Sequence, residues 1–334
     1  MKRNIVIGWM LILLVFILAI AGVVGSRTAE KEHRWVAPDA GVADSAVTIR
    51  AKIDGTVEEM TMDTYLQGVL SAEMPAAFEL EALKAQAVAA RTETMHRLEN
   101  GPVAKHPEAD ICNDINCCQA YKSPAQMDAI WGADAENYRA KIATAVRETD
   151  GLTILYEDKP ILAVFFSSAS GETNRAGDVW LQDLPYLQSV ESPENEGTVP
   201  NYYSVETLTP EEFRETFLKK YPAAELDGKP ESWFGEPQLR EGSAMVLSIP
   251  IGGISVKGTE LRSLFGLRSA AFTISVEKGE IVIRTTGYGH GVGMSQYGAQ
   301  VLAGEGKTME EILHWYYTDV TIAPYTPKIL ASAG

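Results

Sequence analysis

Residues 46–73 read AVTIRAKIDGTVEEMTMDTYLQGVLSAE, and the hydrophobic period changes once within them. Up to Thr61, apolar and polar residues alternate in two runs about Asp54-Gly55, a dipeptide suited to a two-residue hairpin turn. From Asp63 the period is helical, with Leu66, Val69, Leu70 and Glu73 at i, i+3, i+4 and i+7. A hairpin that runs straight into a helix is not the repeating unit of a doubly wound sheet. The rest of the chain keeps this irregular mixture. Helices are expected over 79–98, 135–149, 210–220, 293–303 and 309–316. Strands are expected over 153–156, 161–167, 245–250 and 320–323, with a second hairpin over 272–285 turning at Lys278-Gly279. Residues 100–134 and 193–200 read as irregular. The expected class is α+β, mixed helices and short antiparallel strands in a two-lobed domain.

With 334 residues and 46% hydrophobic content, the chain can bury a substantial core. Its 45 acidic against 29 basic residues give a net charge of −16, which argues against nucleic-acid binding. Three cysteines are too few for a disulfide scaffold, and they lie close together at 112, 117 and 118.

The run 5–24 carries no charge and is long enough to cross a bilayer. The small residues of 21–26 keep a cleaved signal peptide open as the alternative. Lys2 and Arg3 favour a cytoplasmic N-terminus, a vote that Arg27, Lys31 and Arg34 weaken. The expected organisation is an anchor at 1–26, a tether at 27–44, an external domain at 45–326 and a tail at 327–334.

Four stretches carry candidate chemistry. Glu73 shares the apolar face of its helix, and Pro75 should end that helix beside it. Desolvation and the helix's negative end both favour the protonated carboxyl, as a general acid requires. The other reading is an ion pair with a buried arginine such as Arg91. In the next helix, Lys84 and Arg91 lie seven apart on roughly one face, as cations for a ligand or as a solvated face. His106, Cys112, Cys117 and Cys118 are of the types that hold zinc, with Asp110 and Asp114 as substitutes; a disulfide is the competing reading. Finally, 287–298 reads GYGHGVGMSQYG, either a glycine-rich turn or the wall of a cleft. It lacks the spacing and lysine of nucleotide-binding loops.

Together these motifs resemble the stage II sporulation protein D family of lytic transglycosylases. The matching stretches are SAEMP at 71–75, EALKAQAVAAR at 81–91 and GYGHGVGMSQYGA at 287–299. Ser167-Ser168 with Gly171-Glu172-Thr173 and Asp178-Val179-Trp180 matches a middle motif. The resemblance implies an enzyme that cleaves peptidoglycan glycan strands stripped of stem peptides, during engulfment of the forespore. It implies Glu73 as the catalytic acid, with Lys84, Gln86, Arg91, Ser167, Ser168, His290, Ser295, Gln296 and Tyr297 as strand-binding candidates.

The resemblance also implies partners, the amidase stage II sporulation protein P and the membrane protein stage II sporulation protein M. The location implied is the mother-cell membrane, facing the intermembrane space. An insert near 104–120 is expected to hold a structural zinc on His106, Cys112, Cys117 and Cys118, with no organic cofactor. The family pattern has histidine where Cys117 stands, and its middle motif has glycine where Ser170 stands. Two rivals remain, a zinc hydrolase of the wall and a non-catalytic glycan-binding scaffold for an amidase.

Overall fold

The computed structural model describes residues 47–101, 104–180 and 182–327. The expected anchor and tether, and the tail from 328, lie outside the described residues. Among the described residues no helix is long and apolar enough to cross a membrane.

The chain opens as the period change predicts. Strands β1 (Thr48–Ile53) and β2 (Thr56–Thr61) pair antiparallel, turning at Asp54 and Gly55, both with positive φ. Helix α1 (Met62–Glu73) follows at once, its N-terminus capped by Thr61 Oγ1 accepting from the Thr64 N–H. Met74 is extended before Pro75, so α1 stops at Glu73. Helix α2 (Leu80–Asn100) is buried nearly all round from Ala82 to Met95. It is the central rod, packed against α1 and most later elements of the larger core.

Region 100–134 is more ordered than expected. Strand β3 (Ile111–Cys112) adds in parallel to β1, and helix α3 (Pro124–Trp131) starts from a Ser123/Gln126 capping box with proline in its first turn. Helix α4 (Ala135–Glu148) and strand β4 (Leu152–Tyr156) fall where expected. The strand expected over 161–167 is a correction: only β5 (Lys159–Pro160) and β6 (Phe165–Phe166) pair, and the backbone between them is irregular.

A second core occupies an excursion over 203–286. It contains β7 (Tyr203–Leu208), helix α5 (Pro210–Lys220), β8 (Gln238–Leu239), β9 (Val246–Ile251), β10 (Ile254–Lys257), helix α6 (Gly258–Phe265) and the hairpin β11 (Phe272–Glu277) and β12 (Glu280–Thr286). The sheets run β10-β9-β8 and β11-β12-β7, all antiparallel, around Phe213, Phe217, Trp233, Leu261 and Ile283. The chain then returns to the first core through β13 (Met294–Ser295), helices α7 (Gln296–Gly304) and α8 (Met309–Tyr316) and β14 (Thr321–Pro324). The architecture is α+β with two hydrophobic cores in one compact unit spanning the described residues.

Candidate functional site

A cleft of about 800 Å³ is lined by Glu73 from the end of α1, Glu93 and Arg97 from α2, and Cys117 and Cys118 from the following loop. Phe165–Ser167, Trp180, Arg262, Tyr288–His290 and Gln296 complete its walls. Residues far apart in sequence meet here, and three of the four candidate stretches contribute to the lining.

Glu73 is half-buried. One oxygen accepts the Ala120 N–H at 2.7 Å, and the other lies 3.5 Å from Gln296 Nε2. Burial raises its pKa above the usual carboxyl value, against smaller opposing pulls from the Ala120 N–H, Gln296 and Lys122. The alternative of an ion pair with Arg91 is not what the fold builds. Arg91 is 1% exposed and directs its guanidinium to Thr149 Oγ1 and the Val146 carbonyl.

Three strand-binding candidates on α2 lie away from the cleft, two within the core and one at the surface in ion pairs. Arg91 and Gln86 are buried in the core, and Lys84 sits between Glu81 at 2.9 Å and Glu148 at 2.6 Å. None of the three lines the cleft. On the glycine-rich side, Ser295 is buried and caps α7, accepting from the Gly298 N–H and donating to Glu194. Tyr297 packs edge-on against Phe78, and Ser168 is buried under the Tyr288 backbone. Ser167, His290 and Gln296 do line the cleft.

His290 is there for its ring rather than its proton. Its Nδ1 accepts the Val292 N–H and its Nε2 meets the Phe165 carbonyl, both at 3.1 Å, so the carbonyl requires Nε2 to carry the hydrogen. Burial, with Arg262 nearby, lowers its pKa to about 4, and it is neutral at physiological pH. The ring lies beside Phe166 and Trp180, 5.6 and 5.4 Å between centroids. Positive φ at Gly289 and Gly291, with Phe166 and Asn174 where a Cβ would stand, explains the glycines on either side of it. Exposed Tyr288 has Arg268 over its ring at 4.5 Å. The cleft thus offers several aromatic faces and two desolvated acids, Glu73 and the more deeply buried Glu93, whose pKa burial also raises.

Sequence reasoning missed four charged groups. Glu93 is buried and pairs with Arg97 at 2.8 Å, while Arg97 also donates to the Cys117 carbonyl. Glu194 is buried and accepts from the Ala169 N–H and the Ser192 and Ser295 hydroxyls. Arg262 enters from the second core. Nothing in the local sequence marks these residues, whose significance comes from what the fold brings beside them.

The Cys/His cluster is assembled on the cleft's rim. His106 Nε2 lies 3.6 Å from Cys117 Sγ and 3.4 Å from Cys118 Sγ, the two sulfurs are 3.8 Å apart, and all four donor atoms including Cys112 fall within 4.8 Å. Tetrahedral zinc, with bonds of about 2.3 Å to sulfur and 2.0–2.1 Å to nitrogen, separates neighbouring donors by about 3.5–3.8 Å. One histidine and three thiols are donors of the kind zinc takes, and those of His106, Cys117 and Cys118 stand close to that spacing. His106 Nδ1 meets the Ala109 carbonyl at 3.1 Å, which turns Nε2 towards the thiols. The cysteines are free, and Asp110 is engaged by Arg50 rather than by the cluster.

Comparison with known proteins gives consistent matches. A family model described as stage II sporulation protein matches residues 52–156. The chain is 38% identical to stage II sporulation protein D of Bacillus subtilis (strain 168), covering 80% of this chain and 76% of that protein. It is 35% identical to stage II sporulation protein D of Bacillus amyloliquefaciens, covering 90% and 85%. A more distant relative, named amidase enhancer, from Bacillus subtilis (strain 168), is 27% identical over 78% of this chain but only 40% of its own length.

Proposed function

The chain belongs to the stage II sporulation protein D family, and from that membership we propose that it is a cell-wall enzyme of sporulation, a lytic transglycosylase acting on peptidoglycan glycan strands. The observation that carries the reading is Glu73, a desolvated carboxyl held by a backbone N–H inside an aromatic-walled cleft. Glu73 protonates the oxygen between N-acetylmuramic acid and N-acetylglucosamine, and the bond to the muramic acid C1 breaks. The resulting carboxylate takes the proton of the muramic acid C6 hydroxyl as that oxygen closes on C1. The products are a 1,6-anhydro end and a released glucosamine hydroxyl, with no water consumed and the enzyme's proton restored.

A glycosidase with two working carboxylates would need a second free acid in the cleft. Glu93 is the other carboxylate lining it, and Arg97 holds it in an ion pair. Gln296 and the Ala120 N–H orient Glu73, while Trp180, His290 and Tyr288 offer ring faces to successive sugars.

His106, Cys112, Cys117 and Cys118 hold a structural zinc. Four protein donors leave no open position for water, which disfavours the zinc-hydrolase reading. The segment 5–24 anchors the enzyme in the membrane with its domain outside the cytoplasm. A companion amidase is the natural partner, because denuded strands are its product. The amidase-enhancer relative supports that link, and stage II sporulation proteins P and M are the proposed companions.

Turnover of denuded glycan strands by wild type and Glu73→Gln tests the reading. The variant should lose about 10²–10⁴-fold in rate, the usual contribution of a general acid, while binding strands normally. Undiminished turnover would place the acid elsewhere, and strand binding without wild-type turnover would favour the scaffold reading.

A further inference from the structure

Arg262 sits in α6, within the second core's excursion, and lines the cleft alongside Tyr288 and His290. Its Nε donates to the Arg268 carbonyl at 3.3 Å, and among the described residues its terminal Nη groups meet no acceptor. The other arginine lining the cleft is matched, Arg97 to Glu93. Burial pulls the pKa of Arg262 down, and the opposing pull comes from Tyr288 rather than from a carboxylate.

A half-buried guanidinium without a counter-ion is a costly arrangement. It is the more telling in a chain with 45 acidic residues, because no carboxylate among the described residues pairs with it. The planar fork of a guanidinium matches a carboxylate through two parallel hydrogen bonds. We propose that Arg262 receives a carboxylate of the bound ligand, and, on the glycan reading above, that this is the lactyl carboxylate of a muramic acid freed of its stem peptide. With the peptide attached, the same carbon is a neutral amide that cannot accept both bonds of the fork as an ion. Arg262 would then be a specificity-determining residue by which the cleft distinguishes bare strands from peptide-bearing ones.

The test uses the full chain carrying Glu73→Gln, so that strands bind without being cut. Affinity is measured for bare muramic-acid-containing strands, for the same strands with the lactyl carboxyl converted to a methylamide, and for chitin oligomers, which have no lactyl group. Bare strands should bind about tenfold more tightly than the methylamide, the scale of one charged hydrogen-bonded contact. Adding Arg262→Gln should remove that difference by weakening bare strands alone, and Arg262→Lys should keep part of it. The lysine variant retains charge and stem, so it keeps the test open if the glutamine variant folds poorly. Undiminished discrimination in Arg262→Gln, or equal weakening towards all three glycans, would overturn the assignment. Failure of the Glu73→Gln protein to bind any of the three would overturn the glycan reading itself, and this assignment with it.

Discussion

At the scale of the residue, Glu73 makes two testable claims about pH. Burial raises its folded-state pKa, so the protonated working form is depleted as pH rises through that value, and the rate should fall with it. The linkage has a definite sign. A carboxyl whose folded pKa lies above its unfolded pKa leaves stability intact below the unfolded value and costs stability as pH rises through the folded one. Glu73→Gln should therefore melt above wild type at pH 7.5, and the two curves should converge near pH 4. A glutamine variant that melts lower at pH 7.5 would mean that the carboxylate is held by more than the Ala120 N–H and Gln296. The position of Glu73 was legible because the apolar spacing of 66–73 and Pro75 fix both its face and its place at the helix end. Arg262 and Glu93 were not, because a lone arginine or glutamate on a helix becomes informative only when its neighbours from other segments are known.

At the scale of the element, the loop 112–120 connects the Cys/His cluster to the acid. Cys118 lies two residues before Ala120, whose N–H holds Glu73. A zinc ion on the cluster would thus stabilise the fold and set the acid's orientation. Metal analysis should find about one zinc per chain, and Cys112→Ser or Cys118→Ser should lose it, with lower melting temperature and reduced turnover. A metal-free protein with full activity and unchanged melting would contradict this.

Tyr121, next along, lies against α1 where Gly68 leaves room. A Cβ there would stand 2.1 Å from the Tyr121 ring, which stacks on Tyr65. Gly68→Ala should cost about 1–3 kcal/mol by overpacking, despite alanine's better helix propensity, and denaturant melts would measure it. Helix α3 was missed, although Ser123-Pro124 followed by Gln126 is a start signal that can be read from sequence. The irregular composition of the surrounding segment masked it. The strand expected over 161–167 failed for the opposite reason. Its apolar run is buried by the core and cleft without pairing throughout, and hydrophobicity alone does not separate those fates.

At the scale of the whole molecule, the second core is an excursion whose ends, Tyr203 and Thr286, pair as neighbours in one sheet. The mixed α+β class was legible in the sequence, but not that one hydrophobic core is inserted into the other. Arg240 of the excursion reaches back to Glu172 at 3.1 Å and Asp178 at 3.0 Å in the segment beside Trp180. Its side chain is largely buried while the two carboxylates are partly exposed, so solvent screens the pair only in part. Arg240→Met should cost about 1–2 kcal/mol and weaken strand binding, read by melting and by affinity together. A loss of stability with unchanged affinity would confine Arg240 to packing.

The central claim is that one carboxyl serves as acid and then as base, with the strand's own hydroxyl replacing water. Mass spectrometry of the ends made from denuded glycan in heavy-oxygen water reads this directly. The account predicts muramic acid ends lighter by one water than reducing ends, free of label, and absent with Glu73→Gln. Reducing muramic acid ends carrying the heavy oxygen would contradict it, because water would then have attacked the sugar.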